Sequence, residues 1–252
     1  MARFSDTTVL ITGAAQGLGA VYARAFAAEG ADLGLVDLDD LSACAAACTR
    51  VGARCLPLQA DVTDEQAVGD AVAALARRFG RIDVLINNAS ISGDLALRPF
   101  TDITSAEWDR VLAVNLRGTF EFCRAVAPYM QRQGRGKIIN VASGTAFKGT
   151  PGLLHYVASK GAVLAMTRSL ARELGADGIC VNCLSPGLTR SDKVVSNASW
   201  DDTATQGNIA SRALQREADP EDLIGTVLFM ASRDSDFSTG QTFVVDGGSV
   251  ML

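Results

Sequence analysis

Thr8-Val9-Leu10-Ile11-Thr12-Gly13-Ala14-Ala15-Gln16-Gly17-Leu18-Gly19 is the stretch on which the reading of this chain turns. A short β-branched and aliphatic run ends in a glycine-rich turn and passes at once into a helical pattern. Without Cβ atoms, Gly13 and Gly17 let the chain turn tightly and Gly19 lets the helix pack close. The helix N-terminus, with unpaired N–H groups and the positive end of its dipole, then faces any phosphate placed before it. The spacing is GxxxGxG. A glycine pattern alone is a weak signal, with a mere tight turn as the alternative; the flanking strand and helix give it meaning.

Outward from this stretch the same rhythm repeats. Apolar β-rich runs at Thr8–Ile11, Leu33–Val36, Arg54–Gln59, Val84–Ile86, Lys137–Val141, Ile179–Leu184 and Thr242–Val245 alternate with helical patterns near 17–30, 40–51, 64–79, 105–132, 155–175 and 219–231. Asp64, Ser105 and Asp219-Pro220 supply helix-start signals. Seven strands alternating with helices predict an α/β fold, a doubly wound parallel sheet with helices on both faces. At 252 residues and 48% hydrophobic, the chain is expected to be one domain spanning 1–252. Residues 190–215 break the rhythm with a long polar stretch after the sixth strand, expected to be a substrate-binding lid or, failing that, a surface excursion.

The formal net charge is −5 and the basic residues are scattered, which argues against nucleic acid or an anionic membrane as partner and for a small-molecule substrate. No apolar run approaches the roughly 18 residues of a membrane span, and the N-terminus enters a strand pattern without a signal-peptide layout, so a cytoplasmic protein is expected. Six cysteines stand in apolar surroundings and read as reduced thiols. Cys180-Val-Asn-Cys183 matches CxxC, but residues three apart in a strand point to opposite faces. With one histidine, no metal site is expected.

Candidate site residues fall at the carboxyl ends of the strands, where open α/β sheets bind ligands. Asp37 ends the second strand; its carboxylate can accept both hydroxyls of a ribose and repel a 2′-phosphate. Neither Gln16 nor Leu38 offers a cation for such a phosphate, so NAD is expected rather than NADP. Asp37 also reads as an ordinary capping acid. Asp61-Val62 follows the third strand and Asn87-Asn88-Ala89-Ser90 the fourth. Tyr156 and Lys160, at i and i+4 of a helix, share one face. An ammonium at ~5 Å in an effective dielectric of ~20 favours the phenolate by ~3 kcal/mol, about two pKa units, making Tyr156 a candidate general base. Ser143 closes the fifth strand, where its hydroxyl can bond the reacting oxygen. His155, next to Tyr156, points about 100° off its face and reads as pocket-rim or structural.

These motifs in this order, with Asn115 in Val-Leu-Ala-Val-Asn115-Leu, Ser185-Pro186-Gly187, Thr239-Gly240-Gln241 and Asp246-Gly247-Gly248, resemble the short-chain dehydrogenase/reductase family over essentially the whole chain. The resemblance implies a Rossmann-type fold, a homotetramer, and catalysis by Asn115, Ser143, Tyr156 and Lys160 without metal. In the family, Asn115 would hold a water leading from Lys160 to solvent, and hydride exchange would use the pro-S face of the nicotinamide. Binding of NAD would then involve Gly13, Gln16, Gly17, Leu18, Gly19, Asp37, Leu38, Asp61, Val62, Asn88 and Ala89 at one end. Tyr156, Lys160, Pro186, Gly187, Leu188, Thr189 and Ser191 would hold the other end. Asp61 would contact the adenine, though capping explains it as well. Ser90 stands where the family usually has glycine, and Ser191 where it often has threonine.

The expected function is interconversion of a secondary alcohol and its ketone by hydride transfer. Ser90, Ile91, Ser143, Phe147, Leu153, Tyr156 and Trp200 are the expected substrate contacts. The apolar members among them predict an aryl or cyclic substituent; packing is the other reading of each, most of all of Leu153 and Leu154. A 3-oxoacyl-carrier-protein reductase is the alternative enzyme. A non-catalytic NAD-binding sensor is the alternative class, and it would have no need of Tyr156, Lys160, Ser143 and Asn115 together.

Overall fold

The computed structural model describes residues 2–252. Seven parallel strands form one sheet in the order β3-β2-β1-β4-β5-β6-β7, where β1 is Thr8–Thr12, β2 Asp32–Asp37, β3 Cys55–Gln59, β4 Val84–Asn87, β5 Gly136–Val141, β6 Ile179–Pro186 and β7 Thr242–Val245. All seven expected runs are strands. Each central strand is buried on both faces, which is why β1 and β4 read as continuous apolar runs rather than as alternating ones. Pro57 lies within β3, an edge strand, where a missing N–H costs no ladder bond.

The helices are α1 (Gly17–Ala28), α2 (Ser42–Thr49), α3 (Glu65–Phe79), α4 (Ser105–Leu112), α5 (Gly118–Gln133), α6 (Thr145–Lys148), α7 (Leu154–Leu174), α8 (Asp192–Val195), α9 (Asp202–Ala210) and α10 (Ile224–Ala231). They cover both faces of the sheet. One apolar cluster joins β1 and β2 to α1, α2 and α10 through Tyr22, Phe26 and Val227. The other joins the opposite face to α3 and α5 through Leu75, Phe122 and Met130. Among the described residues no helix is long and apolar enough to cross a membrane.

Asp64 caps α3 as its sequence suggests, accepting from Gln66 N and Ala67 N. Asp219 forms a capping box with Asp222 ahead of α10. The cap of α4, however, is Thr104, whose hydroxyl accepts from Glu107 N at 3.2 Å; Ser105 is already helical. The expected single helix over 105–132 is also interrupted, because Ala113–Arg117 between α4 and α5 winds as a π turn. Cys180 and Cys183 lie on opposite faces of β6: Cys180 meets Lys137 and the Asp236 carbonyl, and Cys183 packs with Val163 and Leu164.

The stretch 190–215 holds α8, a short 3₁₀ turn at Ala198–Trp200 and α9. It is fastened to the loop after β4. The Asn197 amide donates to the Gly93 carbonyl at 2.7 Å and to the Leu95 carbonyl at 2.9 Å, and Leu97 N donates to Ser199 Oγ at 3.3 Å.

Candidate active site

A single cavity of about 560 Å³ runs along the carboxyl ends of the strands, from the turn after β1 to the 190–215 stretch. At its first end Gly13 and Gly17 have φ of +67° and +55°, the left-handed region that glycine enters without penalty. A Cβ on Gly13 would stand 2.8 Å from the Ala89 Cα, and one on Gly19 would stand 2.0 Å from the Gly13 carbonyl oxygen. Gly19 therefore serves close packing and does not line the cavity; Gln16, Gly17 and Leu18 do. Gln16 begins α1 with no side-chain cap, leaving the first-turn N–H groups to another partner.

Thr12, which the sequence did not single out, ties this turn to the next. Its hydroxyl accepts from Asn88 N and Ala89 N, both at 3.0 Å, while the Asn88 amide donates back to the Thr12 and Gly13 carbonyls at 3.0 and 3.1 Å. Asn88 and Ala89 line the cavity. Asp37 also lines it, with one carboxylate oxygen accepting from Ala15 N at 2.8 Å and the other from Asp39 N at 3.1 Å. Asp37 caps no helix, since Ala15 and Asp39 both lie outside one, and each of its oxygens keeps a second lone pair for a ligand. Leu38 beside it is 63% exposed, and Asp39 adds a second carboxylate. Asp61 accepts from Thr63 N and Thr63 Oγ1 through one oxygen, both at 2.8 Å. Val62 lines the wall next to it.

The donor set at this end matches a dinucleotide: uncapped helix N–H groups for a pyrophosphate, carboxylates for ribose hydroxyls, and at Gly17 a position where a Cβ would meet nothing within 4 Å.

Ser143, Tyr156 and Lys160 meet midway along the cavity. Lys160 is 2% exposed; its Nζ lies 5.7 Å from the centre of the Tyr156 ring and donates to the Val141 carbonyl at 2.8 Å. Ser143 Oγ accepts from Thr145 Oγ1 at 3.0 Å, so its own proton is free to point toward Tyr156 or a ligand.

The expected drop in the Tyr156 pKa is not found. Burial raises the phenol above its ordinary 10, opposed by a hydrogen bond with Ser143, and the same burial lowers Lys160 to about 8. Desolvation is the largest cause at both groups.

Asn115 sits on the π turn and is fully buried. It does not face the cavity. Its Oδ1 accepts from Ile91 N at 2.8 Å, and its Nδ2 donates to the Ile91 carbonyl and to Ser159 Oγ, both at 3.1 Å. It thereby fixes the backbone of a cavity wall. His155 is buried 3.5 Å from the Glu107 carboxylate and off the cavity, so it is structural rather than rim.

Pro186, Gly187, Leu188, Thr189 and Ser191 line the floor after β6. Ser90, Ile91, Leu153 and Trp200 line the far end, and the last three pack in one cluster with Tyr156. Phe147 is not the substrate contact expected of it. It is not on the cavity but packs with Ala142, Val163 and Leu164, because the one-turn α6 directs its ring inward. Leu154 is likewise off the cavity and 46% exposed. Lys148 and Asn208 also line the cavity.

Comparison with known proteins bears on the family and the fold. Residues 13–250 match the family model described as Enoyl-(Acyl carrier protein) reductase. The chain is 40% identical to the short-chain reductase protein NovJ of Streptomyces niveus over 96% of this chain and 94% of that one. It is 38% identical to galactitol 2-dehydrogenase of Agrobacterium fabrum over 99% of both. A crystal structure of NAD+-bound xylitol dehydrogenase superposes with a TM-score of 0.91 at 34% identity, covering 98% of this chain and 100% of that one. In motif order, sheet topology and sequence, the chain belongs to the short-chain dehydrogenase/reductase family of oxidoreductases.

Proposed function

We propose that this protein is an NAD-dependent dehydrogenase that interconverts a secondary alcohol bearing an apolar aryl or cyclic substituent and its ketone. The observation that carries the reading is the convergence of Ser143, Tyr156 and Lys160 on one continuous cavity with the glycine turn and Asp37. Gly13, Gln16–Leu18, Asp37, Asp61, Val62, Asn88 and Ala89 would hold the adenosine and pyrophosphate of NAD. Tyr156, Lys160 and Pro186–Ser191 would hold its nicotinamide half. When bound, the dinucleotide supplies hydride acceptance or donation.

The chain supplies the proton chemistry. In reduction, the buried Tyr156 hydroxyl, protonated at neutral pH, gives its proton to the carbonyl oxygen while Ser143 Oγ donates a hydrogen bond to the same atom. In oxidation the proton moves the other way: Tyr156 must first be ionised, its phenolate is steadied by the Lys160 ammonium, and it becomes neutral as it takes the alcohol proton. The Ile91, Leu153 and Trp200 cluster beside Tyr156 excludes water and accepts the apolar substituent. Asn115 acts by positioning Ile91, and residues 190–215 act as the lid.

A second reading has its own support. Lys148, Thr150 and Asn208 add polar groups to the cavity wall, and galactitol and xylitol dehydrogenases are among the relatives, which favours a polyol. An NADH-absorbance panel decides, run with NAD and NADP on 1-phenylethanol, cyclohexanol, galactitol and xylitol and on the matching ketones. Higher kcat/KM for the aryl and cyclic alcohols with NAD is expected; higher values for the polyols establish the second reading. No turnover with either cofactor overturns both. A cytoplasmic homotetramer completes the proposal, supported by the apolar groove of Leu112, Leu116, Phe120 and Met166 along α4, α5 and α7; light scattering at 26.4 kDa would overturn the assembly.

A further inference from the structure

The cavity holds a cation that the proton chemistry leaves unused. Lys148 ends α6, the one-turn helix that begins just after Ser143, and its backbone N donates to the Gly144 carbonyl at 3.2 Å. Thr145, the first residue of that turn, bonds Ser143 Oγ at 3.0 Å. The element that fixes the serine beside Tyr156 therefore also carries the ammonium, and both residues line the same cavity. The Lys148 Nζ donates to Ser211 Oγ at 3.1 Å and to Ser249 Oγ, and these two hydroxyls bond each other at 2.5 Å. Both partners are neutral. Among the described residues Lys148 is ion-paired with no carboxylate, unlike Lys193 of the same cavity, which faces Asp94 at 4.0 Å.

An ammonium has three N–H donors, so Lys148 keeps one for a ligand, together with a charge that no direct contact offsets. It is open to solvent, yet desolvation at the wall lowers it below the ordinary lysine range, with the Asp246 carboxylate opposing. Asn208, also on the cavity, accepts from the buried Arg212 guanidinium through Oδ1 at 2.8 Å, so its NH2 is the group it has to offer. The other bonds of Arg212 go to the Arg216 and Leu188 carbonyls, both at 2.6 Å, and leave its charge unpaired as well. Asp246, buried with Oδ2 unpartnered, is the carboxylate that acts on both cations. The charges farther out cancel in the pairs Arg216–Asp222 and Arg190–Glu217. Two cations against one carboxylate leave this part of the cavity positive, with N–H donors pointing the recognition toward an anion.

Given the alcohol-dehydrogenase reading of the cavity, on which this rests, we propose that Lys148 and Asn208 form a carboxylate subsite and that the substrate is an aryl or cyclic hydroxy acid. Its apolar group lies on Ile91, Leu153 and Trp200, its carbinol at Ser143 and Tyr156, and its carboxylate on the Lys148 ammonium. A polyol hydroxyl would give Lys148 only what Ser211 and Ser249 already provide. A carboxylate supplies the missing countercharge and accepts charge-assisted hydrogen bonds, which are shorter and stronger than those to a neutral group. A phosphate dianion fits less well, because its second negative charge would face Asp246 with no cation left to balance it.

The test compares 3-hydroxy-3-phenylpropanoate, its methyl ester and 1-phenylethanol, oxidised with NAD at low ionic strength. In the wild type, kcat/KM for the acid should exceed that for the ester by about ten- to a hundredfold, the discrimination a hydrogen bond to a charged group gives. Lys148→Met removes the ammonium and keeps the stem, and should bring that ratio to within about twofold of unity, whereas Lys148→Arg should keep most of the preference and Lys148→Glu should reverse it. Ser249→Ala removes one bond of Lys148 without its charge and should leave the acid preferred. Acid and ester losing turnover equally in Lys148→Met would make Lys148 a strut of the fold and overturn the subsite. A wild-type ratio near unity alongside turnover of 1-phenylethanol would also overturn it, while the dehydrogenase reading stands. Calorimetric titration of the acid needs no turnover: binding weaker by about tenfold or more in Lys148→Met supports the subsite even where no alcohol is oxidised, a result that removes the dehydrogenase reading alone, and equal binding overturns the subsite.

Discussion

The two ends of the cavity are built from different materials. At the glycine-turn end the wall is backbone and short side chains locked onto it: Thr12 holds Asn88 and Ala89, and Asn88 holds Thr12 and Gly13. At the far end the wall is long side chains on three loops, joined by the Asn197 clasp and by Arg98 N donating to the Gly152 carbonyl at 3.2 Å. A wall of backbone tolerates almost no change, since a Cβ at Gly13 or Gly19 collides at once. A wall of side chains on loops can be re-specified without disturbing the sheet. Ser143, Tyr156 and Lys160 stand at the junction.

The sharpest way to test this division is at the junction itself. Tyr156→Phe keeps the ring and its packing and removes only the hydroxyl, so turnover should fall by roughly a thousandfold or more while NADH binding, read by fluorescence titration, stays within about twofold. A matching loss of NADH binding would show that the two ends are not separable.

Next in size is a stability effect. Folding lowers Lys160 from 10.5 to about 8, so the folded chain binds this proton less well than the unfolded chain does. The cost is complete below pH 8, shrinks as pH rises toward 10.5, and is absent above it. Replacing Lys160 with Met should therefore stabilise the protein at pH 7 by ~2 kcal/mol, after allowing about 1 kcal/mol for the lost bond to Val141. Calorimetry should show Tm higher by about 5 °C, with the advantage gone by about pH 11, in a protein that no longer turns over. A lower Tm at pH 7 would mean that the ammonium is better solvated in the fold than its burial implies.

At the glycine-turn end, Asp37→Ala should cut the NAD over NADP preference in kcat/KM by ~1.5–3 kcal/mol, about ten- to a hundredfold, and leave the KM for the alcohol unchanged. An unchanged cofactor ratio would remove Asp37 from the ribose site. The smallest effect belongs to the clasp. Asn197→Ala removes two hydrogen bonds that hold the 190–215 stretch to the loop after β4, at ~0.5–1.5 kcal/mol each, so substrate KM should rise by about tenfold with cofactor KM unaffected. Equal changes in both KM values would break the comparison.

The same division governs what the sequence disclosed. The glycine turn, Asp37, the Asn-Asn-Ala-Ser turn and the Tyr156–Lys160 pair are short-range patterns, each fixed by spacing within one strand end or one helix turn, and they converge as their order implies. The inward turn of Phe147 is not legible in the sequence, because a helix of one turn has no periodicity from which to infer a direction. Lys148 and Asn208 stand on the short helices α6 and α9, and they reach the cavity only through the way the segments after β5 and β6 fold over it. Spacing likewise reveals which charge stands near Tyr156, whereas the burial that raises its phenol is a property of the whole packed domain.

The π turn at Ala113–Arg117 carries a consequence for how this chain can vary. Such a turn holds one residue more than an α-helical turn and has poorer hydrogen-bond geometry, so deleting a single residue there would make 105–133 a more regular helix. It would also rotate Asn115 by about 100° and release the backbone of Ile91. The deletion that local energetics would reward is one that lineages retaining this cavity are expected to lack, and the extra residue persists as a spacer whose worth is measured at another loop.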